Sequence, residues 1–178
     1  MLDDFLSVRP GLVCCRSQIE AAFGLLESCF ASGGKLLVCG NGGSAADAER
    51  GAYLGEKLQG TLPAIALTGQ YALNTAVAND NGGDLPFAQQ VFGYGVPGDV
   101  LWGISTSGNS VSVALAATVA KAKGLRVLGM TGAKGGRLAG YADVCLQAPS
   151  DETFQVQEYH LAIYHFLCAA LERRFFTE

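Results

Sequence analysis

Short apolar runs alternate along this chain with longer stretches in which apolar residues recur at helical spacing. The apolar runs predict five buried strands, at residues 35–39, 62–67, 99–104, 125–130 and 144–147. The periodic stretches predict helices at 12–31, 44–58, 71–78, 86–92, 111–123 and 153–175, with a short helix near Leu138. The connections are too long for hairpins, which indicates parallel pairing. We therefore predict an α/β three-layer sandwich, with a five-stranded parallel sheet flanked by helices.

The composition indicates one domain that associates with copies of itself. The chain has 178 residues, of which 49% are hydrophobic and only 16% are charged. So few charges leave apolar surface uncovered, and a homo-oligomer is expected to bury it. The net charge of −4 without a basic run argues against nucleic-acid binding. Apolar stretches are too short to cross a membrane and the N-terminus lacks a basic signal region, so we expect a cytoplasmic protein.

A glycine-rich turn at residues 40–43 joins the first predicted strand to a helix that begins near Ser44. The N-terminus of a helix attracts anions, and glycine lets a ligand approach the backbone. The turn lacks both the dinucleotide fingerprint and the lysine of a P-loop. A small phosphate ester is therefore favoured, although a plain strand-to-helix turn is an equally good interpretation of this motif alone.

A second polar loop, Ser105-Thr106-Ser107-Gly108-Asn109-Ser110, also joins a predicted strand to a predicted helix. Such clusters are ordinarily helix caps. Ligands of parallel sheets, however, bind beyond the carboxyl ends of the strands. Two such loops at one edge favour a shared site for a phosphate and a polyol.

The six cysteines are scattered and form no C-x-x-C pair. This spacing favours neither a disulfide framework nor a thiolate zinc site. We interpret them as small buried hydrophobic residues.

Several motifs occur in a characteristic order. They are Gly-Asn-Gly-Gly-Ser-Ala-Ala-Asp-Ala at 40–48, Leu-Pro-Ala-Ile-Ala-Leu at 62–67, Ala-Asn-Asp at 78–80, Gly-Asp-Val-Leu at 98–101, Gly-Ile-Ser-Thr-Ser-Gly-Asn-Ser at 103–110, Thr-Gly at 131–132, and Gln157-Glu158 with His165. Together they resemble the SIS (sugar isomerase) domain, specifically the phosphoheptose isomerase group, from about Gly33 to Leu171. The resemblance implies a single SIS domain over 1–178, with the N-terminal helical segment 1–32 used in oligomerisation.

The resemblance also implies an activity and a site. The activity is interconversion of sedoheptulose 7-phosphate and an aldoheptose 7-phosphate, in a homotetramer with active sites between subunits. His165 would be an acid-base group. The residues that would bind substrate are Asn41, Gly42, Ser44, Asp80, Ser105, Thr106, Ser107, Ser110 and Gln157.

Two positions depart from the family pattern. The family's zinc-binding histidine falls on Arg50 and its catalytic glutamate on Leu54. Arginine offers a metal no lone pair and leucine cannot take a proton. Of the family's metal site only Gln157 and His165 remain, and two ligands seldom hold zinc. The resemblance implies zinc, but the sequence disfavours it, and we predict no metal site.

Other groups are candidates for the missing base. Glu56 is the nearest carboxylate, and Glu49 is a weaker candidate. Helical spacing places His160 beside Gln157 and His165, so we expect these three to face one cleft. Arg50 is a candidate partner for a sugar phosphate or a carboxylate.

Three hypotheses remain open at this point. The first is an aldose-ketose isomerase of the phosphoheptose isomerase type. The second is a non-catalytic sugar-phosphate-binding or regulatory SIS protein, similar to the one that associates with the bacterial replication initiator. The third is an assembly partner of an active paralogue.

Overall fold

The chain forms eight α-helices and five strands within the residues that the computed structural model describes, 1–51 and 61–176, with the side chain of Arg50 left out. The strands are β1 Leu36–Gly40, β2 Ala64–Ala66, β3 Val100–Ile104, β4 Arg126–Thr131 and β5 Val144–Gln147. The helices are α1 Leu2–Ser7, α2 Arg16–Ala31, α3 Gly43–Gly51, α4 Tyr71–Asp80, α5 Pro86–Tyr94, α6 Val111–Ala122, α7 Gly136–Tyr141 and α8 Thr153–Phe176. None of these helices is long and apolar enough to cross a membrane.

The five strands form one parallel sheet in the order β2-β1-β3-β4-β5. The predicted fold class is therefore confirmed. In the register of β1 and β3, Gly40 lies opposite Ile104, so these two central strands end side by side. The loops that follow β1 and β3 therefore meet at the middle of the carboxyl edge of the sheet.

Each face of the sheet is covered by its own group of helices. Side chains alternate across β1: Leu36 and Val38 pack with α2 and α8, whereas Leu37 and Cys39 pack with α5 and α6. All five β1 residues are buried. A strand buried on both faces needs the continuous apolar run that the sequence shows.

The larger differences from the predicted element boundaries fall in three places, and the others are of one or two residues. A short helix, α1, precedes the first predicted helix, and the segment Pro10–Cys15 is a 3₁₀ helix rather than part of α2. Strand β2 is shorter than predicted because Leu67–Gly69 forms a 3₁₀ turn. Helix α4 extends to Asp80, which we had expected in the following loop. The prediction that α3 reaches residue 58 falls partly outside the described residues.

The cysteines also correct one expectation. None of the six, all of which lie in the described part of the chain, forms a disulfide, and three of them are buried. Cys14, however, is exposed, and Cys145 and Cys168 are half-buried. The 3₁₀ turn at the N-terminus leaves Cys14 on its outer side.

At the amino edge of the sheet, Asp99 ties β1 to β3. Its carboxylate, 2% exposed, accepts hydrogen bonds from the Lys35 ammonium at 2.6 Å, the Lys35 amide at 3.0 Å and the Val96 amide at 2.8 Å. Burial alone would raise the pKa of Asp99, but the hydrogen bonds from Lys35 and Val96 outweigh it and lower that pKa.

Asp99→Asn is expected to lower the free energy of unfolding by about 2 kcal/mol at neutral pH, because it removes the charge that three donors share. A carboxyl whose folded pKa is depressed stabilises the fold above its unfolded pKa, 3.8, and loses that contribution as pH falls through the folded value. The deficit of the variant should therefore shrink below pH 3.8. Urea unfolding at pH 7 and pH 3 measures it. Asp3→Asn, at an exposed ion pair with Arg16, is the control and should leave the midpoint unchanged.

Candidate functional site

The glycine turn after β1 needs glycine at two positions for different reasons. A Cβ at Gly40 would lie 2.5 Å from the Ser44 carbonyl oxygen, so the strand can pass this close to α3 only without a side chain. Gly42 has a φ of 58°, a left-handed conformation that other residues rarely adopt. The turn directs the start of α3 toward the carboxyl edge of the sheet.

The turn after β1 and the loop after β3 enclose a pocket of about 200 Å³, which we call the serine pocket. Ser44 and Ser105 are buried in its wall, at 4% and 6% exposure. The structure thus brings together six of the predicted binding residues. The pocket is lined by Asn41, Ser44, Ile104, Ser105, Thr106, Ser107 and Ser110.

Asn41 holds the two sides of the serine pocket together. Its amide Nδ2 donates to Ser110 Oγ at 2.8 Å and to Ser112 Oγ at 3.0 Å. The Ser110 amide in turn donates to Ser105 Oγ at 3.4 Å. Sequence reasoning missed Ser112, although a serine in the first turn of α6, two positions after Ser110, is a signal that could have pointed to it. The hydroxyls and amides of this pocket can surround a phosphate without a cation.

The loop after β3 is anchored to the loop after β4. The Gly132 amide donates to the Thr106 carbonyl at 2.8 Å, and the Leu138 amide donates to the Gly108 carbonyl at 2.9 Å. Gly108 has a φ of 66°, and a Cβ there would overlap the carbonyl of Gly135. The serine pocket is therefore fixed by a second layer of backbone contacts.

A second cavity of about 340 Å³, the α4 cavity, adjoins the serine pocket on the side of α4 and α5. Asn41 lines both spaces. The predicted residue Gly42 lies here, together with Thr68 and Asn74. Asp80 is exposed at the end of α4 and accepts a hydrogen bond from Asn79 at 2.7 Å. Among the described residues it lines neither the α4 cavity nor the serine pocket.

A third space, the α3–α8 cleft, has a volume of about 360 Å³ and is lined by Gly43, Asp47, Phe154, Gln157, Glu158 and Leu161. Gln157 lies so close to Gly43 that a Cβ there would overlap its amide group. Asp47 is 9% exposed, and its Oδ2 has no hydrogen-bond partner among the described residues. Burial raises the pKa of Asp47 to about 6, against the opposing effect of a hydrogen bond with Tyr164. Sequence reasoning assigned no role to Asp47, although an acid set among alanines was a signal.

The expectation that Gln157, His160 and His165 face one cleft is wrong for His160. That side chain is fully buried, and its Nε2 donates to the Thr131 carbonyl at 3.1 Å. Burial lowers the pKa of His160 to about 4, which keeps the ring neutral. His165 is exposed and contacts the ring of Tyr164. It lies eight residues beyond Gln157, roughly 12 Å along the helix.

The described residues do not form a ligand set for zinc. They contain no group of three or more His, Cys, Asp and Glu side chains that could hold a metal ion. The imidazole of His160 is committed to a backbone carbonyl. Leu54 and Glu56 lie outside the described residues, as does the side chain of Arg50, and Glu49 is exposed on α3. We therefore derive no chemical step through a metal.

A five-stranded parallel sheet with a serine-lined pocket at the carboxyl ends of its central strands is the architecture of a SIS-domain protein. The model of the SIS domain family matches residues 15–132 of this chain. The chain is 45% identical over 164 residues to the phosphoheptose isomerase of Rhodospirillum rubrum, covering 89% of this chain and 86% of that one. It is 44% identical over 167 residues to that of a Synechocystis strain, covering 90% and 84%.

Solved structures agree with these relatives. A phosphoheptose isomerase from Francisella tularensis superposes with a TM-score of 0.85 at 34% identity, over 97% of this chain and 98% of that one. One from Neisseria gonorrhoeae gives a TM-score of 0.81 at 41% identity, over 90% and 87%. The chain belongs to the phosphoheptose isomerase family of SIS-domain proteins.

Proposed function

We propose that this chain is an aldose-ketose isomerase that interconverts sedoheptulose 7-phosphate and an aldoheptose 7-phosphate. The observation that carries the proposal is the similarity to phosphoheptose isomerases over most of both chains, at 45% identity to that of Rhodospirillum rubrum. The serine pocket supports it, because a phosphate ester fits a pocket whose wall carries hydroxyls and helix-start amides.

The predicted site residues then take the following roles. The hydroxyls of Ser44, Ser105, Thr106, Ser107 and Ser110 hold the phosphate. Asn41 borders both the serine pocket and the α4 cavity, and Gly42 borders the α4 cavity, where hydroxyl groups of the sugar bind. Asp80 contributes to the sugar site from the end of α4, and Gln157 from α8. His165 acts as an acid-base group.

The reaction sets the chemical requirements of the site. Isomerisation moves a proton between adjacent carbons through an enediol, so it needs a base near C1 and C2. It also needs donors that stabilise the negative charge developing on the carbonyl oxygen. The side-chain amide of Gln157 on α8, which lies beside Gly43 at the start of α3, is suited to the second task.

An NMR assay of the purified chain with sedoheptulose 7-phosphate tests the proposal, with and without added zinc. We expect a new set of aldose signals, and a rise in the melting temperature with the same ligand. A rise in melting temperature without turnover would instead support a sugar-phosphate-binding protein. If the protein shows neither turnover nor a rise in melting temperature, both assignments are contradicted.

We further propose a homotetramer with sites between subunits, in which the segment 1–32 takes part in the contacts. Phe154 and Leu161 are 62% and 46% exposed on the same side of α8 as His165. A groove of about 560 Å³ also lies between the N-terminal helices and α8. A second copy would cover these apolar surfaces and bring His165 of one subunit to Gln157 of another. Light scattering on the purified chain measures the subunit number.

We also propose that the protein works in the cytoplasm. The six cysteines form no disulfide among the described residues, which supports a reducing compartment, where disulfides rarely form. Cell fractionation with an antibody to the chain tests this location.

A further inference from the structure

We propose that Asp47 is the general base that moves the proton between C1 and C2 of the sugar phosphate. This inference rests on the proposed function, and it names a carboxylate other than Glu56 or Glu49. It is drawn from where the structure places Asp47 and what surrounds its carboxyl group.

Asp47 lies on α3 close to the phosphate-binding groups, but it lines a different space. Ser44 lines the serine pocket, whereas its neighbour Gly43 lines the α3–α8 cleft together with Asp47 and Gln157. Asp47 is three residues after Ser44, roughly 4.5 Å along the helix. A sugar chain that begins at a phosphate in the serine pocket and passes Gly43 therefore enters the cleft that contains this carboxylate.

The carboxyl group of Asp47 has the properties of a positioned base. One of its oxygens has no hydrogen-bond partner among the described residues, and the group is hydrogen-bonded with Tyr164. A base oriented by a third group is the arrangement that proton-transfer sites share. Burial also raises the pKa of Asp47, so it is a stronger base than a carboxylate in water while remaining ionised at neutral pH.

The other carboxylates around the carboxyl edge lack these properties. Glu49 is exposed on the same helix, two residues after Asp47, and does not line the cleft. Glu158 is exposed where it lines the cleft, and Asp80 is exposed and bonded to Asn79. Of the described carboxylates that line the three spaces, Asp47 alone is buried.

The step balances without a co-reactant. The Asp47 carboxylate takes a proton from C1 of the ketose, and the electron pair of that C–H bond forms the C1=C2 double bond. The C2 carbonyl oxygen becomes a hydroxyl by taking a proton from the proposed acid-base group, His165. In the second half, the C1 hydroxyl returns a proton to His165 as C1=O forms, and the Asp47 carboxylic acid returns its proton to C2.

Exchange of the C1 hydrogen with solvent isolates the first half of this step. In D₂O the parent protein is expected to introduce deuterium at C1 of sedoheptulose 7-phosphate. Asp47→Asn should slow this exchange by about 10²-fold or more, since a general base contributes that much. Its melting temperature should still rise with the same ligand, because the serine pocket is unchanged. Asp47→Glu keeps the carboxylate and should retain more exchange than Asp47→Asn.

Glu49→Gln and Glu56→Gln test the competing carboxylates, and we expect each to exchange at the parental rate. Exchange in Asp47→Asn equal to that of the parent would overturn the inference and leave the proposed function intact. A loss of C1 exchange in Glu49→Gln or Glu56→Gln, but not in Asp47→Asn, would overturn it as well. If Asp47→Asn does not fold, a folded Asp47→Ser takes its place, because it also lacks the carboxylate, and exchange at the parental rate in that variant would overturn the inference. A parent that exchanges no C1 hydrogen contradicts the proposed function as well.

Discussion

Gly108→Ala is expected to destabilise the protein by about 3 kcal/mol and to abolish detectable binding of sedoheptulose 7-phosphate. The φ of 66° at this position disfavours any residue with a Cβ. The added Cβ would also overlap the Gly135 carbonyl and come within 2.9 Å of the Gly136 amide nitrogen, both of which are backbone atoms. Neither loop can yield without moving Ser107 and Ser110, so the damage reaches the serine pocket.

Alanine variants of two other glycines distinguish the cost of backbone strain at positive φ from the cost of steric overlap by the added Cβ. Gly42→Ala introduces the same kind of strain, at a φ of 58°, with nothing within 4 Å of the new Cβ, and should cost about 1 kcal/mol. Gly24 is an exposed residue of α2, and Gly24→Ala should stabilise the helix by about 1 kcal/mol. Urea unfolding measures all three. Equal losses in Gly108→Ala and Gly42→Ala would mean that the two loops are not in firm contact.

The double variant Ser105→Ala, Ser110→Ala is expected to raise KM for sedoheptulose 7-phosphate by about 10² or more. Each hydroxyl donates to a charged phosphate in our proposal, and such a hydrogen bond contributes about 1.5–3 kcal/mol. That is about one to two powers of ten in affinity for each serine. Steady-state kinetics and a ligand thermal shift measure the change.

Ser7→Ala is the matched control for this pair of serines. Its hydroxyl is exposed and donates to the Asp4 carbonyl at 2.8 Å, far along the chain from the pocket. We expect unchanged KM there. If the double variant loses stability but keeps its KM, Ser105 and Ser110 serve only as caps for the loop and for α6.

Much of the site could be predicted because its parts are local in the sequence. The runs after β1 and β3 each combine a strand end, glycine and hydroxyls within a few residues. A parallel sheet then brings the two runs together, since the carboxyl ends of its strands share one edge. The contact of Asn41 with Ser110 and Ser112 follows from the pairing of β1 with β3.

Other features depend on packing between distant elements. Helical geometry gives the angle between Gln157 and His160, but not which of them turns toward the sheet. The Thr131 carbonyl at the end of β4 decides this, because it accepts the His160 hydrogen bond inside the core. The hydrogen bond of Asp47 likewise depends on α8, because its partner is Tyr164. The sequence near His160 does not contain Thr131, and the sequence near Asp47 does not contain Tyr164, so no local pattern predicts these hydrogen bonds.

The backbone contacts between the loops after β3 and β4 imply that the serine pocket is preorganised. When a ligand binds to a preformed pocket, the protein loses little conformational entropy. The affinity for phosphate is then set partly by residues that never touch it: the Gly132 amide holds Thr106, and Gly135 packs against Gly108. Changes in the loop at 132–136 should therefore act on substrate binding from a distance, with the serines themselves intact.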